Sequence, residues 1–513
     1  MPYDYQPFPY RRAPGLEAVE PRHKVAIVGA GPIGLAMALE LARHDVASVL
    51  LDDNDVVSVG SRAICWSKRS LEILDRLGLG DRAVEKGVVW NVGRTFHGQT
   101  EVFNFDLLPE DGHKMPAFVN LQQYYVEQFL ADAALENPLC DLRFKNRVTA
   151  VDKATGRLDV ETPDGAYTIE VDYILACDGA GSPIRKMLDL DFDGEVFQER
   201  FLIADIEMTA DFPSERHFWF EPPFHPGQSA LLHRQPDNIY RIDLQLGWDA
   251  DPEREKQPET VIPRIEKVVG HGDFRLDWVS VYTFQCRRLE HFVHDRVIFV
   301  GDSAHVVSPF GARGGNGGLQ DVDNLGWKLA HVLATGETGL LESYDRERGF
   351  GADENIANST RATRFMTPDP GAERLFRDQV LALSERANFA RSMVNSGRLS
   401  QPCTYPVPGP DAGGLPPLTR PGAVAQDAPL SEGWLMERLG RGWVLLAIGT
   451  TGPEVAEMET FRLDPDPILR QRYLGDAPGA IYLIRPDQVI AARWRKASAA
   501  EIMAARCAVL EGT

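Results

Sequence analysis

The first part of the chain alternates apolar runs of strand length with one segment of helical periodicity. Residues 24–28 form an apolar run that ends in glycines, and residues 47–51 form a second apolar run. Between them, residues 33–43 repeat apolar positions at helical spacing. This order predicts a β-α-β unit and therefore a parallel sheet in an α/β fold.

The pattern changes between about residue 195 and residue 285. Segments of alternating polarity, separated by turn residues, predict an antiparallel sheet there, with strands at 217–221, 230–235 and 239–246. A buried strand is again predicted at 296–300, and helical residues continue to about 395. We therefore expect a discontinuous first domain, formed by residues 23–195 and 285–395, with a sheet domain inserted at 196–284.

The two ends of the chain differ from this core. Residues 1–22 are rich in Pro, Tyr and Arg and predict an arm that is disordered or lies on the surface. Residues 396–430 are dense in Pro and Gly, which is typical of a linker or a draped segment. Residues 431–513 alternate strand and helix patterns and predict one more domain.

Charge and cysteine content narrow the class of protein. A formal net charge of −21 provides no basic footprint for nucleic acid and favours a small-molecule partner. An anionic partner would need local basic residues. The six cysteines are scattered without metal-site spacing, which predicts free thiols, no metal and a cytoplasmic location. We expect no membrane segment and no signal peptide, because no stretch reaches 18 apolar residues and the N-terminus lacks an apolar core.

A glycine-rich turn joins the first predicted strand to the first predicted helix. Gly29 allows a sharp turn, Gly31 lets a pyrophosphate approach the backbone, and Gly34 lets the helix pack closely on the strand. The helix N-terminus offers unpaired N–H groups to phosphate. Asp52, at the end of the second strand, can accept hydrogen bonds from a ribose. The pattern predicts a dinucleotide site.

Two later motifs indicate which dinucleotide binds. Asp178-Gly179 follows one predicted strand and Gly301-Asp302 follows another, and a carboxylate on such a turn suits hydrogen bonding to a ribityl chain. Backbone N–H groups from Gly311 to Gly317 lead into a helix and suit the negative charge of a reduced flavin. Together with the first turn, these motifs favour FAD.

As a set, these three motifs resemble those of the class A FAD-dependent aromatic monooxygenases, the group of phenol hydroxylase, 3-(3-hydroxyphenyl)propionate hydroxylase and 4-hydroxybenzoate hydroxylase. The resemblance covers about residues 22–350. It implies a Rossmann-like FAD-binding domain with an inserted antiparallel-sheet substrate domain. It also implies tightly bound, non-covalent FAD, NAD(P)H as a transient co-substrate, and O₂.

The resemblance also assigns residue roles. Asp52 would hold the adenosine ribose, Asp302 the ribityl chain and Arg62 the pyrophosphate, while Gln123 would contact the flavin. Asp178 matches a motif linked to both FAD and NAD(P)H. The full expected cofactor set is Gly29, Gly31, Gly34, Asp52, Arg62, Gln123, Asp178, Asp302, Pro309, Gly314, Gly315 and Asn316.

Two departures from the family pattern stand out. The glycine loop carries Arg313, which adds a cation near the expected flavin. Residues 481–494 resemble the thioredoxin-like tail of the phenol hydroxylase branch, yet residues 430–513 contain only Cys507 and lack a redox CxxC pair. We therefore expect a structural thioredoxin-like tail, with formation of a homodimer as one role.

The substrate side is predicted from residues 229–246. Alternation places His233 and Gln235 on one face of a strand, and Arg241 on one face of the return strand. By the resemblance, His233 and Gln235 would face an aromatic ring, Arg241 would lie near the flavin, and Tyr282 is a further pocket candidate. Gln235 replaces the family's carboxylate-binding arginine. Two alternatives stay open: these residues satisfy sheet edges, or a one-residue shift turns Arg234 inward.

The implied reaction is hydroxylation of a phenolic or related aromatic compound through a flavin C4a-hydroperoxide, after NAD(P)H has reduced the FAD. His233 is the candidate base for the phenol. Other flavin chemistry on the same fold, such as epoxidation or reduction, is an alternative. A non-catalytic flavin-binding regulator is another.

Overall fold

A largely parallel sheet forms the centre of the first domain. The structure is a computed structural model that describes residues 3–394, 399 and 401–512, so the outermost residues of the predicted arm and tail and the start of the predicted linker lie outside the described residues. The central strand, His23–Val28, pairs in parallel with both its neighbours, Gly165–Ala176 and Ser48–Asp52. The order is Val293–His294, Val297–Phe299, Gly165–Ala176, His23–Val28, Ser48–Asp52 and Cys140–Phe144. Arg157–Thr162 pairs antiparallel with Gly165–Ala176, and Arg147–Asp152 pairs antiparallel with Arg157–Thr162. The predicted α/β class is confirmed.

Helices cover this sheet and complete the domain. Pro32–Arg43, which follows the glycine turn, packs against Gln123–Glu136 and Gly314–Thr335. The other helices are Lys68–Arg76, Gly80–Lys86, Pro183–Met187, Gly339–Met366, Ala372–Ser384 and Asn388–Val394, with 3₁₀ turns at Pro14–Leu16 and Gly301–Ser303. A small sheet of Cys65–Ser67, Phe118–Asn120 and Val88–Trp90 lies beside them.

A second, mainly antiparallel sheet lies on the first domain. Its order is His305–Val306, Arg275–Arg288, Asp193–Glu207, Ile239–Gln245, Ser229–Arg234, Arg216–Phe220, Val92–His97 and Thr100–Asp106. One face buries an apolar cluster with the helix Pro258–Val269, which follows the short helix Pro252–Glu255. Since side chains alternate along strands, the other face carries the remaining residues toward the first domain. The sheet is larger than the expected range 196–284, because two of its strands come from residues 92–106.

The N-terminal arm and the Pro/Gly-rich segment both pack on the rest of the protein where they are described. Phe8 stacks on Phe144, and the ring of Tyr3 lies against Tyr124. In the Pro/Gly-rich segment, Cys403 and Tyr405 are buried in the core of the C-terminal region. The described part of this segment is therefore draped over that core.

The C-terminal region has its own four-stranded sheet, in the order Glu459–Leu463, Val444–Ile448, Ala480–Ile484 and Ile490–Trp494. Helix Ala499–Leu510 follows the last strand of this sheet. The region also contains short helical segments at Pro417–Thr419, Leu435–Arg438, Pro467–Leu469 and Arg470–Leu474. Its likeness to thioredoxin stays a prediction.

Buried charges join this region to the first domain. Arg485 donates to both carboxylate oxygens of Glu347 at 2.8 Å, and Glu347 also accepts from Lys328 at 2.9 Å. Arg69 donates to the backbone oxygen of Asp487 at 2.9 Å. Because Lys328 lies on helix Gly314–Thr335, these contacts tie the tail to the helix that follows the expected flavin loop.

Candidate active site

The first glycine turn leaves open space where a pyrophosphate would lie. Gly29 has a φ of +106°, and a Cβ atom there would lie 2.5 Å from the carbonyl oxygen of Cys177. A Cβ atom on Gly34 would lie 1.9 Å from the carbonyl oxygen of Gly29. By contrast, a Cβ atom on Gly31 would meet no atom within 4 Å. The turn is therefore tight on its inner side and open at the start of helix Pro32–Arg43.

Asp52 closes the turn from the second strand. Its carboxylate accepts hydrogen bonds from the backbone N–H groups of Ala30, at 2.5 Å, and Asn54, at 2.8 Å. Burial raises the pKa of Asp52, and these two N–H groups oppose that shift. The side chain is thus held at the end of its strand beside the glycine turn.

Two further carboxylates flank the space beyond this turn. Asp178 accepts from the backbone N–H of Ile184 at 3.0 Å, while its buried Oδ1 has no hydrogen-bond partner among the described residues. Burial raises the pKa of Asp178. The side chain of Asp302 is exposed, but the protein around it still reduces its hydration and raises its pKa. Arg185 joins the two turns, because it donates to the backbone oxygens of Ser303 and Ala180.

The loop before helix Gly314–Thr335 forms the next wall. Gly301 and Gly318 approach Ile33 closely, since a Cβ on either would lie within 3.2 Å of its side chain. This brings the helix N-terminus, with Gly314 and Gly315, next to the glycine turn. The first N–H groups of a helix lack intrahelical acceptors, so they can stabilise negative charge there. Pro309 is exposed just before this loop.

A buried network supports the same turn from behind. Asp321 accepts from the backbone N–H of Gly301 at 2.9 Å and from His305 Nε2 at 2.7 Å. Arg348 donates to the other oxygen of Asp321. His305 is therefore engaged in this network and does not face the open space.

Two of the expected cofactor residues, Asn316 and Gln123, have structural partners. Asn316 accepts from the backbone N–H of Ser67 at 2.9 Å and donates to the carbonyl oxygen of Cys65 at 2.8 Å. Gln123 accepts from the backbone N–H of Ala63 at 3.1 Å and donates to Glu127 at 2.7 Å. Arg62 is exposed on this loop, and its charge partly opposes the raised pKa of Asp302. Asn316 and Gln123 thus position the loop that carries Arg62.

The predicted substrate residues lie on the sheet face that meets this loop. Register places Arg216, His233, Arg241 and Asp205 in one row across four neighbouring strands. Arg241 forms an ion pair with Asp205, with contacts of 2.7 and 2.8 Å, and donates to the backbone oxygens of Ser61 and Arg62.

The other members of this face are also held in place. Gln235 donates to Asp205 at 3.2 Å. His233 Nδ1 lies 4.0 Å from the Cys65 sulfur, and burial between Arg216 and Arg241 holds its pKa well below the ordinary value. Tyr282 lies farther along, where the Arg62 guanidinium is 5.9 Å from its ring centre. Arg234 lies on the opposite face and donates to the carbonyl oxygen of Phe212.

A cavity opens between this sheet and the flavin-side loop. Among the described residues that line it are four phenylalanines and four arginines: Phe105, Phe218, Phe220, Phe310, Arg94, Arg216, Arg313 and Arg361. His233, Gln235, Arg241 and Tyr282 are not in this lining, although His233 pairs across the sheet with Arg216, which is. Sequence reasoning did not select Arg216, Phe218 or Phe220, because strand Arg216–Phe220 carries no motif.

Neither a metal cluster nor a membrane-spanning helix is found within the described ranges. No group of three or more His, Cys, Asp or Glu side chains there could hold a metal ion. No described helix is both long and apolar enough to cross a membrane.

Comparison with known proteins places this arrangement in a family. Residues 22–359 match the family model described as FAD binding domain. The chain is 28% identical over 361 residues to the 3-(3-hydroxy-phenyl)propionate/3-hydroxycinnamic acid hydroxylase of Mycolicibacterium gilvum; this match covers 70% of the chain and 62% of the relative. It is also 28% identical to the 12-dehydrotetracycline 5-monooxygenase/anhydrotetracycline 6-monooxygenase of Streptomyces rimosus, over 91% of the chain and 95% of that relative.

A solved structure extends the likeness to the whole fold. The flavin-dependent monooxygenase PieE, in complex with FAD and substrate, superposes with a TM-score of 0.81 at 22% identity, covering 97% of this chain and 100% of that one. The open glycine turn, the unpartnered Asp178 oxygen and the exposed Asp302 fit a bound dinucleotide. The chain therefore belongs to the FAD-binding family matched by residues 22–359, and its resemblance to the class A FAD-dependent aromatic monooxygenases is confirmed.

Proposed function

We propose that this chain is a monooxygenase that uses FAD, NAD(P)H and O₂ to hydroxylate a phenolic or related aromatic compound. The observation that carries the proposal is the position of the phenylalanine-lined cavity. One of its walls, Phe310 to Arg313, directly precedes the helix whose N-terminus faces the flavin side. An aromatic ring in this cavity would therefore lie between the substrate sheet and the flavin. The activities for which both relatives are named support this reaction class.

The protein's own part in the reaction is to bind, orient and shield. FAD, when bound, would supply oxygen activation and oxygen transfer. Asp52 and Asp178 would hold its polar chains, and N–H groups at Gly314 and Gly315 would stabilise negative charge on its ring. The phenylalanines would position the substrate and exclude water. His233 stays the proposed proton acceptor for a phenol, although burial between Arg216 and Arg241 lowers its pKa and so weakens it as a base.

The test begins with the purified full-length chain. We expect a yellow protein with about one non-covalent FAD per chain, whose NADH or NADPH oxidation rises when a phenol from a panel is added. Mass spectrometry should detect one added oxygen atom in the product. Oxidation of NAD(P)H without any hydroxylated product would favour other flavin chemistry, and stable FAD binding without any oxidation would favour a regulator.

Two aspartate variants, one at the expected flavin site and one control, test whether Asp302 binds FAD. Asp302→Ala should lower FAD retention, because it removes the exposed carboxylate beside the glycine turn. Asp211→Ala, at an exposed position on the substrate sheet domain, is the matched control. Equal FAD content and affinity in both variants would contradict the ribityl role of Asp302. The preference for NADH or NADPH, the homodimer and the cytoplasmic location stay predictions.

A further inference from the structure

The cavity carries a charge opposite to that of the protein as a whole. The chain has a net charge of −21, yet the described residues that line the cavity include four arginines and no carboxylate. An acidic protein repels anions at long range, so local arginines are what an anionic ligand would need. The cavity therefore has the charge of an anion site inside an acidic molecule.

Three of these arginines already have protein partners. Arg94 donates to both carboxylate oxygens of Glu215 and to Glu101. Arg313 donates to the side-chain oxygen of Asn355 at 3.1 Å, and Arg361 donates to the carbonyl oxygen of Ser392 at 3.2 Å. Their positions are explained by these contacts.

Arg216 is different. Only 9% of its surface is exposed, and its guanidinium makes no hydrogen bond or ion pair with any described residue. Burial lowers its pKa, and the groups that oppose this shift are Cys65 and Asp243. Asp243 is itself a weak counter-ion, because burial raises its pKa to about 7. His233, the next residue in the row, is neutral.

A buried guanidinium without a counter-ion is unfavourable in the free protein. Charged groups inside proteins are normally paired, because the loss of hydration costs several kcal/mol. Arg216 lacks such a partner, although its strand neighbours Phe218 and Phe220 show that an apolar side chain fits this wall. A ligand that brings a negative charge into the cavity would remove this cost.

We propose that Arg216 binds an oxyanion of the aromatic substrate, a carboxylate or a phenolate, and that the substrate is therefore an acidic aromatic compound. This inference rests on the proposed function. The anion would lie at Arg216 on the substrate sheet, and the ring would extend along Phe218 and Phe220 toward Phe310 on the flavin side. In this arrangement the acid-binding arginine lies on strand Arg216–Phe220, and not on the strand that leads to Gln235.

Matched acid and neutral probes test the binding step. The FAD-loaded protein is titrated with 3-hydroxybenzoate against 3-hydroxybenzamide, which tests a carboxylate, and with 4-nitrophenol against nitrobenzene, which tests a phenolate. Binding is followed by the change in flavin absorbance. We expect at least one acid to bind more tightly than its neutral partner. If neither acid does so, the proposal is wrong.

Three arginine variants locate the effect. Arg216→Met should weaken binding of the preferred acid by about 10- to 150-fold, the range for a hydrogen bond to a charged group, and leave the neutral probe within about twofold. Arg216→Lys should retain part of the acid preference. Arg234→Met, on the opposite face of the same sheet, should behave like the unaltered chain. Equal losses for acid and neutral probes in Arg216→Met would overturn the proposal.

Thermal stability separates a ligand-binding role from a structural one. Without an aromatic ligand, Arg216→Met should unfold at the same or a higher temperature than the unaltered chain, because it removes an unpaired buried charge. A large decrease in Tm would show that Arg216 stabilises the fold and would overturn the proposal. FAD content and NAD(P)H oxidation are measured on the same samples. Their absence contradicts the proposed function, whereas normal flavin activity without acid preference contradicts only the role of Arg216.

Discussion

Two glycines of the first turn serve different physical purposes. A Cβ atom on Gly34 would overlap the backbone oxygen of Gly29, whereas one on Gly31 would project into open space. Gly34 is therefore required for the packing of the helix on the strand. Gly31 is required to keep open the space that a bound group would occupy.

Substitution separates these two purposes. Gly34→Ala should destabilise the FAD-free protein by about 1–3 kcal/mol, because the backbone must shift to admit a methyl group. Gly31→Val should leave the Tm of the FAD-free protein nearly unchanged and reduce FAD content strongly. Thermal unfolding followed by circular dichroism, together with flavin absorbance per mole of protein, measures both effects. A Gly31→Val protein that binds FAD normally would contradict the pyrophosphate assignment.

Asp243 makes stability depend on pH. Burial raises its pKa to about 7, Arg241 and Arg216 oppose the shift, and Asp205 adds to it. The folded chain thus binds more protons than the unfolded one, so the free energy of unfolding falls as pH rises from about 4 to about 7. We expect the Tm of Asp243→Asn to exceed that of the unaltered chain by more at pH 8 than at pH 5. A difference that does not change with pH would contradict this.

Sequence reasoning located residues whose role depends on neighbours in the chain. The turn glycines and Asp52 were predictable because the strand, turn and helix that place them lie within one short segment. The hydrogen bonds of Asn316 and Gln123 were not predictable, since their partners Ser67 and Ala63 come from distant segments. Arg216 was not selected, because its burial arises only when eight strands assemble.

At the scale of the element, the register of the substrate sheet decides which side chains meet the first domain. The face with Arg241 contacts the loop at Ser61, and the other face, with Leu232 and Ile242, packs on helix Pro258–Val269. The alternation seen in the sequence predicted this period. The participation of residues 92–106 was not predictable, because Val92–His97 pairs with residues more than a hundred positions later and Thr100–Asp106 joins the sheet through it.

The register gives opposite expectations for neighbouring residues. His233→Ala should reduce coupled aromatic hydroxylation by about 5- to 150-fold, the effect of losing a hydrogen bond of about 1–3 kcal/mol, while FAD binding is retained. Gln235→Ala should act in the same direction through Asp205. Arg234→Ala should have little effect, because its side chain lies on the opposite face. Loss of coupling in Arg234→Ala alone would indicate that the active face has been assigned wrongly.

At the scale of the whole molecule, the tail is part of one charged core with the first domain. Glu347 lies between Lys328 and Arg485, and all three side chains are buried. All the flavin motifs precede residue 330, which by itself would favour a tail that could be removed without loss of FAD binding. The structure gives a physical reason to expect instability instead, since removal would leave Glu347 and Arg69 without tail partners.

One substitution measures this coupling. Arg485→Met should destabilise the protein by about 3–5 kcal/mol, the cost of removing one member of a buried ion pair. Arg462→Met is the matched control in the same region, because its ion pair with Glu454 is exposed and should contribute about 0–1 kcal/mol. Calorimetric Tm values of the FAD-loaded proteins compare them. Equal Tm values would show that the tail and the first domain are energetically independent.

The shared construction of the substrate sheet limits how specificity can be transferred between relatives. A graft of residues 196–284 alone would bring a strand 216–220 whose parallel neighbour, Val92–His97, still came from the recipient. The interstrand register and the cavity wall at Thr95 and Phe105 would then belong to a different parent. An exchange of substrate range therefore requires residues 92–106 to move with the later segment, so recombination points chosen on chain continuity alone would divide the pocket.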